Sequence, residues 1–231
     1  MSNLFPSTPS RNRMLKNKFW LGVLCVFLML SACDDSVKKT YWENGKLKSE
    51  LRYEDGMLNG ESVWYTEQGE VMTRVFYRND TLEGHYQRFQ KDGTLELECW
   101  YKHGLRDSIC RSYSAKGKLV SEDYYAGGRL NGESKKWYDN GRIFQEGQYE
   151  DGMMDGSWFV FYPSGALASK AEYHKGTGKQ IGYEESGYKC LEVSYVDNLK
   201  QGKEIYFNPD GAVTKIVEYE RGKVIYENDN P

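Results

Sequence analysis

Tyr53-Glu54-Asp55-Gly56-Met57-Leu58-Asn59-Gly60-Glu61-Ser62-Val63-Trp64-Tyr65 is the stretch whose reading decides the fold, and it is echoed at Tyr149-Glu150-Asp151-Gly152-Met153-Met154-Asp155-Gly156-Ser157-Trp158-Phe159-Val160-Phe161. The chain repeats on either side of it. A first column of glycines runs Gly45, Gly69, Gly93, Gly117, Gly141, Gly165, Gly187 and Gly211, spaced by 24 residues with one step of 22 between Gly165 and Gly187. Four residues before each stands an aromatic: Tyr41, Tyr65, Phe89, Tyr113, Trp137, Phe161, Tyr183 and Phe207. Eight residues after each stands a tyrosine, from Tyr53 to Tyr219. Eleven after each comes Gly56, Asp80, Gly104, Gly128, Gly152, Gly176, Asn198 or Gly222, all residues that tolerate a left-handed backbone. A period kept over most of a chain outranks any local motif.

Between the two columns the side chains alternate with the period of a strand. Leu47, Ser49, Leu51 and Tyr53 share one face, while Lys46, Lys48, Glu50 and Arg52 share the other. Position five after the first glycine is Glu50, Glu98, Glu122, Glu146 and Glu192 in five of the units. A column of like charge repels itself unless it is solvated or interleaved with Lys and Arg, which places it on the wet face. Asp123, Gly147 and Lys189 interrupt the apolar face. Asn44-Gly45 and Asp55-Gly56 between alternating runs are hairpin turns. Each unit therefore reads as one β-hairpin. The expected fold is all-β: an elongated single-layer antiparallel β-meander of about eight 24-residue hairpin repeats. Sixteen strands at ~4.8 Å would run roughly 75 Å, and an open sheet of that size should twist until one face is concave.

With Gly56 and Gly60 in one phrase and Gly152 and Gly156 in its echo, the chain resembles the MORN repeat from Tyr41 to about Tyr226. More closely it resembles the bacterial MORN-repeat variant of YwqK-type antitoxins. Gly60, Gly84, Gly132, Gly156 and Gly202 match that family's second glycine; Ser108 replaces it once, and the sixth unit is shortened around Gly176-Thr177-Gly178. The resemblance implies a hairpin-repeat fold and an antitoxin or immunity role. It supplies no catalytic residue.

The start of the chain has a different character. Arg11, Arg13, Lys16 and Lys18 precede an apolar run from Phe19 to Leu30, with no acidic residue before Asp34. Twelve residues are too few for a stable span, which takes about 20. The run ends in Leu30-Ser31-Ala32-Cys33, which resembles the lipobox of bacterial lipoproteins. Residues 1–32 are expected to be a lipoprotein signal peptide, Cys33 the lipidated residue, 33–40 a short tether, 41–226 the repeat domain and 227–231 a tail. The partner at this end is then the membrane, reached through the lipid on Cys33. Asp34-Asp35 resembles an inner-membrane retention signal in one bacterial group and a surface-export signal in others, so the localisation expected is the cell envelope, with the membrane left open.

Cleavage after Ala32 would remove four of the 31 basic residues and none of the 34 acidic ones, leaving a net charge of −7. An acidic surface argues against nucleic acid as a partner. Cys99 and Cys110 flank the turn at His103-Gly104, so a cross-strand disulfide is one reading, although their columns differ in parity; two small, partly buried thiols are the other. Cys190 has no obvious partner. No ligand spacing suggests a metal, the glycines are turn glycines rather than a phosphate cradle, and His85, His103 and His174 fall in three different columns. No nucleophile motif is present. Neither an enzyme nor a cofactor is expected.

The regular tyrosines read mainly as core, since stacked aromatics can replace a second layer. Trp64, Trp100, Trp158 and Tyr124 lie off the regular columns. Phe76, Trp100 and Tyr124 all stand seven after the first glycine, on the otherwise charged face, over three successive units. They are the candidate interaction surface, with cover by a loop or a second copy as the alternative. The function expected is a lipid-anchored, non-catalytic scaffold for a protein partner, or an immunity-like factor. A glycan-binding module using the aromatic ladders is the alternative. The two sheet edges allow a homodimer.

Overall fold

The computed structural model describes residues 36–229. The chain divides into Met1–Ala32, which lies wholly outside the described residues, and Cys33–Pro231. The expected signal peptide, Cys33 and Asp34-Asp35 therefore lie outside the described residues.

Among the described residues every regular element is a strand. In chain order they are β1 (Ser36–Tyr41), β2 (Leu47–Glu54), β3 (Met57–Leu58), β4 (Gly60–Tyr65), β5 (Val71–Arg78), β6 (Thr81–Phe89), β7 (Leu95–Lys102), β8 (Leu105–Tyr113) and β9 (Leu119–Ala126). They continue as β10 (Arg129–Trp137), β11 (Ile143–Glu150), β12 (Met153–Phe161), β13 (Leu167–His174), β14 (Thr177–Tyr183), β15 (Lys189–Val196), β16 (Leu199–Phe207), β17 (Val213–Glu220) and β18 (Lys223–Asn228). Each pairs antiparallel with its neighbour in sequence, in one sheet, with β3 and β4 serving as a single broken strand against β2. This is the expected meander. Its ends differ from the expected boundaries: Ser36–Thr40, read as tether, pair with β2, and Glu227 and Asn228, read as tail, belong to β18.

Two turns make each unit. At one end Gly45 closes a β-turn by donating its N–H to Trp42 C=O (2.9 Å), with Gly45 itself left-handed. At the other end a two-residue loop joins β2 to β3, with φ of 51° at Asp55 and 80° at Gly56. Positive φ at both central residues matches the twist of the flanking strands. The tips then stack on one another: Gly104 donates to Leu82 C=O, Gly128 to Arg106 C=O and Gly152 to Leu130 C=O, at 2.8–2.9 Å. The two members of this column that are not glycine use their side chains as well. Asp80 Oδ1 accepts from Leu58 N–H (2.7 Å), and Asn198 reaches over one unit to Met154 N–H (2.9 Å) and Gly152 C=O (3.0 Å).

Six hairpins carry a two-residue bulge that the alternation does not reveal, and β17–β18 carries a one-residue shift. Val75 pairs with Tyr86 and Tyr77 with Leu82, so Phe76 alone faces Glu83-Gly84-His85. Two extra residues enter each return strand in this way. The β13–β14 hairpin has none; its register runs unbroken from His174–Thr177 to Ser169–Gly182. The step of 22 residues is a 24-residue unit without its bulge.

One face holds the core. Its central row crosses the sheet with one residue per strand, and Ser62, Val75, Cys99, Cys110, Ser134, Trp158, Ala171, Val193, Glu204 and Val217 are all buried in it. The interrupting residues fit. Asp123 accepts from Ser134 Oγ (2.6 Å). Gly147 leaves room for Trp158, whose ring a β-carbon there would overlap. Lys189 reaches Glu192 (2.6 Å) and the Phe207 ring. Trp158, off the aromatic columns in sequence, is thus core: it meets Tyr149 edge to face at 4.9 Å and packs with Ala171 and Tyr173.

Candidate functional site: an aromatic strip on the charged face

The opposite face carries an ion-pair ladder. Glu98 faces Arg111, Arg111 faces Glu122, Glu122 faces Lys135 and Lys135 faces Glu146. Arg111 bonds Glu122 at 2.7 Å and lies 3.9 Å from Glu98; the hydrogen bond to Glu122 holds its guanidinium pKa above the ordinary value. The column of glutamates in sequence is therefore interleaved with cations contributed by the return strands. Farther along, Lys179 holds the Glu192 carboxyl below its ordinary range by a hydrogen bond, helped by Lys189.

Next to this ladder runs a second row, nearer the two-residue turns. Beyond Val37 on β1 and Arg52 on β2 it continues to Glu61 on β4, which pairs with Phe76 on β5. His85 on β6 pairs with Trp100 on β7, and Ile109 on β8 pairs with Tyr124 on β9. Glu133 on β10 ends it, on the far side of the bulge that Tyr124 faces. Phe76 is 44% and Tyr124 36% exposed, while Trp100 is half-buried. The His85 and Trp100 rings stack with centroids 4.6 Å apart, and His85 Nε2 lies 2.7 Å from Glu98.

The expected residues Phe76, Trp100 and Tyr124 thus share one row, and no loop among the described residues covers it. His85, Ile109, Glu61 and Glu133 were missed. Each stands just after a bulge glycine or its Ser108 replacement, on a return strand whose pairing with the outgoing strand is shifted by two residues. That column, Glu61, His85, Ile109, Glu133, was available in sequence as the residue following the second glycine.

The bulges shape the surface here. A β-carbon at Gly132 would lie 3.1 Å from Tyr124 Cβ, and one at Gly84 would lie 3.9 Å from Phe76 Cβ, so the aromatic residues lie over glycines. Between Phe76 and Trp100 is an open depression of about 350 Å³, rimmed by Arg78, Glu83, Lys102 and Asp107. Beneath it, on the core face, Cys99 and Cys110 face each other with Cα atoms 4.1 Å apart and are disulfide-bonded. Their difference in parity is no obstacle: around a two-residue turn, partners always differ in parity, and a two-residue bulge preserves that. The bond links the strands that bear Trp100 and Ile109. Cys190 is free and half-buried; burial raises its thiol pKa.

Trp64 lies on the core face beside Ser49 and Thr73. His103 and His174 sit at turn tips, within 4 Å of Glu83 and Asp155 respectively. Among the described residues no three or more His, Cys, Asp or Glu converge as a metal site would require.

A family model described as MORN repeat variant matches residues 35–55, 130–151 and 154–175. Each match covers a return strand, the turn at the first glycine and the strand after it, so the chain carries MORN-variant repeats at three places. No curated protein matches. Among solved structures, the chain is similar to a chain of the Crystal Structure of TcdB2-TccC3-Cdc42, at 11% identity and a TM-score of 0.22, over 78% of this chain and 12% of that one. The chain thus spans about an eighth of that structure's chain, and a likeness of that size carries nothing further.

Proposed function

We propose that this chain is a non-catalytic repeat scaffold, held in the bacterial cell envelope by a lipid on Cys33, whose sheet binds a protein partner. The observation that carries this reading is the strip itself: aromatic rings exposed on a sheet that already buries another row as its core. The strip cannot be explained as packing within the described residues, because its own face offers it no second layer. Contiguous exposed rings on a rigid support are characteristic of binding surfaces. The repeat architecture supports the same conclusion, since stacked units build broad binding faces.

Membrane attachment rests on the sequence around Cys33. With β1 beginning at Ser36, three peptide links separate the two residues, a reach of about 11 Å. The N-terminal edge of the sheet would therefore lie at the lipid surface. An immunity-like role fits this placement only against a toxin that acts in the envelope.

Affinity capture tests the reading. The full chain, immobilised in detergent, is exposed to envelope extract with and without prior protease treatment. One protein retained in stoichiometric amount and lost after protease is the expected result. Retention of protease-resistant, sugar-containing material would replace the protein partner with a glycan. Metabolic labelling with a radioactive fatty acid, abolished by Cys33→Ser, checks the anchor.

A further inference from the structure

The strip specifies what kind of protein segment it can take; this inference rests on the protein-binding reading above. Three features of the row narrow the choice. First, it lies in the middle of the sheet, where the backbone groups of β5–β9 are committed to neighbouring strands. An incoming strand would need unpaired edge groups, so strand addition is ruled out here. Second, the rings recur on alternate strands, at Phe76 on β5, Trp100 on β7 and Tyr124 on β9. Alternate strands are ~9.6 Å apart. A polyproline II helix turns every three residues and rises ~3.1 Å per residue, or ~9.3 Å per turn, so every third residue would meet the next ring. Such a helix makes no internal hydrogen bonds and needs no ladder. It asks for flat rings and a few donors to its carbonyls. The Trp100 indole N–H and the Tyr124 hydroxyl are spent on no hydrogen bond among the described residues, and neither is a buried unpaired group.

Third, the rings are flanked by acid on either side, with Arg52 of β2 beyond Glu61. Glu61 stands on one side and Glu133 on the other, with side chains 51% and 55% exposed even though Arg74 and Lys135 lie beside them. From β4 to β10 there are six strand steps, about 29 Å, which a polyproline II segment spans in about nine residues. We infer that the strip binds a proline-rich segment of about nine residues with a basic residue near each end, laid across the strands. The net charge of −7 remaining after Cys33 becomes the first residue favours the same sign of partner.

The test is fluorescence anisotropy with the full chain in detergent. The probe is a fluorescein-labelled nonapeptide of seven prolines between two lysines. Controls are the same peptide with glutamate ends, a lysine-ended Gly/Ser nonapeptide, and a β-1,4-linked hexasaccharide as competitor. The lysine-ended proline peptide should bind at least tenfold more tightly than either peptide control. Trp100→Ala should weaken it tenfold or more, and Glu61→Gln with Glu133→Gln about fivefold, in a manner that salt removes. Trp100→Phe keeps the ring and the fold while losing the donor, and should show a partial loss. Equal binding of the glutamate-ended peptide, or binding indifferent to Trp100→Ala and to the double glutamate variant, overturns the inference. So does displacement by the hexasaccharide, which would make the strip a sugar site. Envelope capture repeated with the Trp100 variants separates the two claims. A partner still captured leaves the scaffold standing and the strip assignment wrong; nothing captured by any form removes the scaffold itself.

Discussion

The sixth repeat and its neighbours are built from nearly the same residues but differ by a two-residue bulge. In the long units a bulge places a side chain beside each regular tyrosine: Leu82 pairs with Tyr77, Arg106 with Tyr101 and Met154 with Tyr149. In the short unit Tyr173 and Tyr195 both pair with Gly178. With no side chain between them, the rings meet edge to face at 5.7 Å, and Tyr173 is 6% exposed, buried where the other regular tyrosines are half-buried. Asn198 then bridges this unit to Gly152 and Met154, 44–46 residues back. Three of the bulged units carry a ring on the outer face opposite the bulge, at Phe76, Trp100 and Tyr124, where the short unit has Glu172 paired with Lys179. On the core face, absence of the insertion lets two regular tyrosines meet as a clamp for stability.

The largest effect should come from filling the gap. A β-carbon at Gly178 would overlap Glu172 C=O and lie 2.7 Å from the Tyr173 ring. Backbone cannot retreat as a side chain can, so Gly178→Ala should cost about 3 kcal/mol, read as a fall in the urea midpoint. The same change at Gly156, which has open space around it, should cost less, and only through its backbone angle.

Asn198→Gly should come next. It makes the turn column more regular, yet it removes both side-chain bonds across the short unit. A loss of about 2 kcal/mol is expected; a gain would show that the bridge is incidental. Ser108→Gly is the opposite case. Ser108 occupies the bulge with φ of 77°, a conformation that costs a residue with a β-carbon roughly 1–2 kcal/mol. Glycine there should stabilise by about 1 kcal/mol, with Trp100 fluorescence unchanged.

The smallest effect at neutral pH, and the most specific, is in the titration. Burial pushes the Tyr173 phenol well above its ordinary value, with Tyr195 adding to it. The folded chain therefore keeps a proton that the unfolded chain loses above about pH 10. Stability from this group is complete below that pH and declines as pH rises beyond it. Tyr173→Phe should flatten the alkaline fall of the denaturation midpoint.

The repeat, its period and both turn columns are legible in the sequence because they are local. A left-handed residue or a two-residue loop is chosen by the few atoms around it, and alternation marks a strand without reference to any partner. Asp80 and Asn198 stood out as the non-glycines of their column for the same reason. The bulges were not legible, since Gly60, Gly84 and Gly132 read as family glycines rather than as points where two residues leave the ladder. That gap hid His85 and Ile109 from the strip that Phe76, Trp100 and Tyr124 announced.

By itself, then, the amino-acid sequence determined the hairpin, the number of units and which face of each outgoing strand is wet. Only the tertiary structure decided which residue stands opposite which. Register is fixed by hydrogen bonds between strands, and each bulge shifts it by two residues without altering the alternation on either side. The ion-pair ladder, the disulfide, the tyrosine clamp and the aromatic strip all depend on that shift.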